Sequence, residues 1–66
     1  MAVVKVIELL AQSGKSWEDA AQLAVDAAAK SVRNIKSIYI ENMQGTVADN
    51  KIVEYRVDAK ISFIVE

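Results

Sequence analysis

Apolar and polar residues alternate most regularly at the end of the chain, where Val53, Tyr55, Val57, Ala59, Ile61, Phe63 and Val65 interleave with Glu54, Arg56, Asp58, Lys60 and Ser62. A period of two places one set on each face of a β-strand, so this segment predicts a strand packed on one side and polar on the other. The run Val3 to Leu10 is aliphatic and β-branched, with Lys5 and Glu8 its only charged members, and predicts a first strand that ends at Gln12-Ser13-Gly14-Lys15. Between Trp17 and Arg33 the period changes. Trp17, Ala21, Ala24, Ala28 and Val32 recur at three and four, the spacing of one helical stripe, and Ala20, Leu23 and Ala27 widen its apolar surface. Ser16 supplies an N-cap oxygen, Glu18 and Asp19 suit the first turn, and Lys30, Arg33 and Asn34 suit the C-terminal end. Ile35 to Met43 predicts a second strand, with Ile38 and Ile40 facing one way and Ser37, Tyr39 and Glu41 the other. Its end is open between Met43 and Val47, and Asp49-Asn50-Lys51 is the favoured hairpin turn.

The elements assemble as βαββ, an α+β fold with a three-stranded antiparallel or mixed sheet partly wrapped around one helix. A right-handed crossover leaves room for the third strand between the first two, giving the order 2-3-1 and one domain over residues 1–66. The helix covers one sheet face. The other, expected to carry Tyr39, Met43 and the charged ladder, finds its cover in another subunit.

Composition strengthens that expectation. Sixty-six residues that are 53% apolar, without Cys, His or Pro, exclude disulfides and common zinc sites, so part of the apolar surface belongs to an interface. Eight basic and nine acidic residues nearly cancel, against a nucleic-acid binder. No apolar run approaches a membrane span and no signal-type leader is seen, so the expectation is a soluble, cytoplasmic protein.

Candidate chemistry is sparse. Nucleophile–imidazole pairs are unavailable and Gly14 and Gly45 stand alone, so no phosphate loop is built. Glu54 and Asp58 share a strand face as a general acid–base pair would, but they straddle Arg56 and read better as a balanced charged face. No catalytic residue is assigned, and the chain is expected not to be an enzyme. Trp17 and Tyr39 are candidates for ligand stacking, with packing as the preferred reading. Glu41, Asn42, Asp49 and Asn50 offer oxygens for Ca²⁺, although turn chemistry accounts for them without a metal.

Val4-Lys5-Val6-Ile7-Glu8, Ser16-Trp17-Glu18-Asp19-Ala20-Ala21, Val32-Arg33-Asn34-Ile35, Gln44-Gly45-Thr46-Val47 and Glu54-Tyr55-Arg56-Val57 running to Ser62-Phe63, in this order and spacing, resemble the dodecins over essentially the whole chain. That resemblance implies a hollow homododecamer that binds flavins, FMN or riboflavin, between subunits for storage or sequestration. It also implies a ligand site in which a Trp on the second strand stacks on the isoalloxazine and a Gln on the third strand bonds its polar edge. The matching positions here are Ser37 and Arg56, and Gln44 stands where bacterial flavin binders carry a basic residue. Ser37 offers no stacking plane and Arg56 is a donor-only cation, so the flavin site is expected to be altered or lost. Ser16-Trp17-Glu18 and Arg56 resemble instead a flavin-poor branch that includes a calcium-binding dodecin. A calcium-binding or purely structural shell is therefore the alternative function. Arg56 is expected to pair with Glu54, Asp58 or an acid of another subunit.

Overall fold

The computed structural model describes residues 2–65 as β1 (Val3–Ser13), α1 (Trp17–Ala29), β2 (Ile35–Ala48) and β3 (Lys51–Val65). The sheet order is β1-β3-β2, as the pattern predicts, and both hydrogen-bonded pairs are antiparallel. At about 3.3 Å per residue, a strand of 15 residues accounts for a long axis of 51 Å. Every strand outruns its sequence-based limit. β1 continues through Ser13 because Gln12 and Ser13 still pair with Arg56 and Tyr55. β2 reaches Ala48, so the open choice at its end resolves to the long strand.

The turn that joins β2 to β3 is Asp49-Asn50, both left-handed at φ 53° and 63°. Two such residues give the mirror-image turn whose twist matches paired strands, and Asp and Asn tolerate that region better than most side chains.

Ser16 starts α1 from an extended backbone, and its Oγ accepts a hydrogen bond from Asp19 N at 3.0 Å. Asp19 does not close a capping box. Its Oδ2 accepts from Ser13 Oγ at 2.6 Å, while Ser13 Oγ accepts from Lys15 N at 2.9 Å, which fixes the turn between β1 and the helix. The helix stops at Ala29, short of Arg33, with Lys30 as its C-cap and no basic residue in its last turn. The cause is packing: Val32 is drawn into the cluster around Ala28 and Ile61, and Ser31 N and Val32 N both close on Ala28 O. Asn34, at φ 61°, then turns the chain into β2.

The helix buries Ala20, Ala24 and Ala28 against a sheet centre made of Val57, Ala59 and Ile61. Ile7, Leu9, Ile35, Ile38 and Ile40 surround them. Alanine facing alanine lets the helix lie close to β3, so the core is thin. Ala20 belongs to the buried row, whereas Leu23 and Ala27 remain exposed.

The opposite face has no cover among the described residues. It carries Val4, Val6 and Leu10 of β1, all more than half exposed, beside Tyr39 and the polar ladder of β3. Met43 departs from the expected arrangement. A bulge between Ile40 and Asn42 changes the alternation of β2, and Met43 registers opposite buried Val57 on the helix side. Among the described residues no helix is long and apolar enough to cross a membrane.

Candidate functional site

Asp58 and Lys60 project from central β3 onto the open face, where Glu8 of β1 pairs with Lys60. The register steps from Ile40↔Ala59 to Asn42↔Asp58, which leaves Glu41 as the extra residue of the bulge. Three strands thereby deliver three carboxylates to one place: oxygens of Glu8, Glu41 and Asp58 all lie within 4.8 Å of one another. Lys60 Nζ lies 2.8 Å from Glu41 Oε1.

The electrostatics follow from this crowding. Glu8 is held above the ordinary carboxylate range, first by a hydrogen bond with the Asp58 carboxyl, then by the Asp58 charge, desolvation and Glu41. Lys60 opposes that shift and is itself pushed up, chiefly by its bond to Glu41. Asp58 Oδ1 is buried without a hydrogen-bond partner among the described residues. Three carboxylates against one ammonium leave two negative charges when all are ionised. This set of hard oxygens on separate rigid strands suits a hard divalent cation such as Ca²⁺.

The sequence candidates for calcium divide accordingly. Glu41 joins the cluster and Asn42 registers opposite Asp58, but Asp49 and Asn50 form the hairpin turn. Glu54 and Asp58 do not meet as an acid–base pair: Glu54 Oε2 accepts from Gln12 Nε2 at 3.1 Å, while Asp58 belongs with Glu8 and Glu41. Sequence reasoning passed over Glu8 as a site residue. Its signal was a lone acid in an aliphatic strand, at the parity opposite Ile7 and Leu9.

Ser37, Gln44 and Arg56 all register on this same face. Ser37 pairs with Ser62, and their hydroxyls are hydrogen bonded to each other. Arg56 lies between Gln12 and Gln44. It bonds neither Glu54 nor Asp58, the two expected partners within the chain: Nε and Nη2 donate to Gln12 Oε1 at 3.2 and 2.9 Å. The neutral amide reaches it first because Gln12 stands directly across the ladder, while Glu54 lies one step along the same strand.

The carbonyl of Gln44 accepts from Trp17 Nε1 at 2.8 Å, and the indole meets the Tyr55 ring edge-on at 4.8 Å and 82°. Trp17 therefore anchors the helix start to the β2–β3 hairpin. Gly45 makes room for it, since a Cβ there would lie 3.2 Å from Ile52 Cγ2 and 3.6 Å from Trp17 Cζ2. Tyr39 is 65% exposed on the open face.

With this geometry in view, the dodecin family model matches residues 3–66. The chain belongs to the dodecin family. Calcium dodecin of Mycobacterium tuberculosis is 35% identical to this dodecin over 63 residues, 96% of this chain and 89% of that protein. The crystal structure of a calcium dodecin from the same organism, described as having a novel calcium-binding site, superposes with a TM-score of 0.81 at 33% identity, covering 97% of this chain and 91% of that one. A Thermus thermophilus dodecin variant superposes with a TM-score of 0.93 at 29% identity, covering 100% of this chain and 98% of the other. The fold of this dodecin is thus the dodecin fold throughout, and dodecins are small binding proteins whose homologues are oligomeric.

Proposed function

We propose that this dodecin is a non-enzymatic subunit of a homododecameric shell that holds a small ligand on its open sheet face, and that the ligand is Ca²⁺. The observation that carries this reading is the convergence of Glu8, Glu41 and Asp58, with the unpartnered Asp58 Oδ1 among them. Glu8, Glu41 and Asp58 would supply the protein oxygens, and Lys60 would exchange its contact with Glu41 for water as the cation enters. A bound divalent cation contributes charge neutralisation across three strands, which ties β1, β3 and β2 together at that level. The similarity to calcium dodecin supports the same ligand.

Flavin held in the family manner is not favoured by these side chains. Ser37 presents a hydroxyl already bonded to Ser62, and the Arg56 guanidinium stands where a neutral amide would read the flavin edge. Storage or sequestration then applies to the cation.

Calorimetric titration of the purified oligomer with CaCl₂ tests the reading, alongside native mass spectrometry for the assembly. Asp58→Asn should abolish the heat, and Glu8→Gln should weaken it. An unchanged isotherm for Asp58→Asn would refute the assigned ligands, and a monomer in the mass spectrum would refute the shell.

A further inference from the structure

Lys60 is the cationic member of the open-face cluster, and its position makes it a competitor of any ion that enters. It shares a face of β3 with Asp58 and registers opposite Glu8 of β1 and Tyr39 of β2. Its Nζ lies 2.8 Å from Oε1 of Glu41, one of the three carboxylates whose oxygens come within 4.8 Å of one another. A cation that takes Glu41 as a ligand therefore meets an ammonium already there. Among the described residues no other ion pair joins a basic side chain to the cluster.

The side chains of Lys60 and Glu41 are 42% and 37% exposed, so their contact can open into water without disturbing either strand. A pair this exposed adds little to stability. Its consequence lies in exchange. The ammonium is carried on a flexible four-carbon stem and returns to Glu41 from an effective concentration that a dissolved ion does not match. A monovalent ion replaces one positive charge by another and gives up part of its hydration shell, so it gains nothing over the tethered ammonium. A divalent ion brings twice the charge to the same oxygens, and its attraction to Glu8 and Asp58 offsets the displacement of Lys60.

We infer that Lys60 is a tethered counter-ion that sets the affinity and the valence selectivity of the cluster, holding it against Na⁺ and K⁺ and yielding to a divalent cation. The inference rests on the Ca²⁺ reading of Glu8, Glu41 and Asp58 and adds to it the residue that regulates the site. Lys60 touches a ligand residue and not the metal. Its displacement breaks an ion pair and leaves a like charge near the bound ion, so the site fills at a higher Ca²⁺ concentration than the carboxylates alone would need.

The test titrates CaCl₂ calorimetrically into the purified oligomer, in choline chloride and in NaCl at matched ionic strength, for the parent, Lys60→Gln, Lys60→Arg and Lys51→Gln. Lys60→Gln should bind Ca²⁺ roughly fivefold to tenfold more tightly than the parent. Lys60→Arg, which keeps a cation beside Glu41, should bind no more tightly. Lys51→Gln removes the same charge from the exposed end of β3 beside the hairpin turn, and screening should hold its effect within about twofold. Replacing choline by Na⁺ should leave the affinity of the parent unchanged, a readout that needs no variant, and weaken Lys60→Gln severalfold. Ca²⁺ bound equally well by the parent and Lys60→Gln overturns the role of Lys60 and leaves the Ca²⁺ reading standing. Equal gains from Lys60→Gln and Lys51→Gln overturn it too, as does a parent whose affinity falls with Na⁺ as far as that of Lys60→Gln. Heat from neither the parent nor Lys60→Gln overturns the Ca²⁺ reading and the inference together, whereas heat from Lys60→Gln alone upholds Lys60 as the blocking charge and refutes Ca²⁺ as the ligand of the unaltered protein.

Discussion

Ala24→Leu probes the step on which both the fold and the open-face site depend, the close approach of α1 to β3. Ala24 is 1% exposed within a cluster that includes Ala28, Ala59 and Ile61, and no flexible side chain among these four can swing away to admit a larger neighbour. A leucine must lift the helix or push β3 outward, and overpacking of this kind costs about 1–3 kcal/mol. In a domain of this length each kcal/mol corresponds to about 4–8 °C in Tm. The matched control is Ala27→Leu on the exposed side of the same helix, where a surface change stays within about 0.5 kcal/mol. Urea unfolding followed through Trp17 fluorescence, at one fixed protein concentration because assembly contributes to stability, separates the two variants. The alternate residues of β3 add a second readout. Asp58 and Lys60 stand between Val57, Ala59 and Ile61 but on the opposite face, so a displaced strand should also weaken Ca²⁺ binding. Equal urea midpoints for Ala24→Leu and Ala27→Leu would refute the claim that small side chains set the helix–sheet distance.

Three further outcomes are expected. Because Glu8 is raised in the folded chain, the native state holds a proton more tightly than the unfolded one; the resulting stabilisation is complete at acid pH and is lost as pH rises through the raised value. Glu8→Gln should flatten the dependence of the urea midpoint on pH in that acidic window, and Ca²⁺ binding to the unaltered protein should release a proton, read from calorimetry in buffers of different ionisation enthalpy; an unaltered slope and no proton release would contradict this. Ser37→Trp combined with Arg56→Gln restores a stacking plane worth about 1–3 kcal/mol, by analogy with bases on aromatic rings, together with a neutral edge donor, so riboflavin fluorescence should be quenched by the double variant and not by the parent. Asn50→Ala keeps a Cβ in the left-handed region at φ 63° but removes the carboxamide that lets Asn tolerate it, and should lower stability by about 1 kcal/mol, whereas Asn50→Gly should match or exceed the parent in thermal unfolding.

Much of the fold was legible because its signals are local. The period of two from Val53 to Val65 marks a half-buried strand whatever surrounds it, and a crossover followed by a hairpin admits a middle strand by connection length alone. Ser16 identified the helix start, and Asp49-Asn50 the hairpin, because each residue acts through its own backbone. The helix end was less legible: Lys30 to Arg33 are suitable for a helix, and only the pull of Val32 into the core stops it at Ala29.

The site belongs to the other category. Ser37, Gln44 and Arg56 could be placed by resemblance, and alternation could assign each to a face, but nothing local says that Arg56 meets Gln12 before any acid. Glu8, Glu41 and Asp58 are far apart in sequence and belong to three strands. Their convergence required a register and one inserted residue. Alone, the sequence determined the elements, their order and the chemistry it excludes, since periodicity and composition are properties of neighbouring residues. The tertiary structure decided which charges share a place, because strand register and the bulge at Glu41 are set by packing between strands, and one step of either moves a side chain to the opposite face.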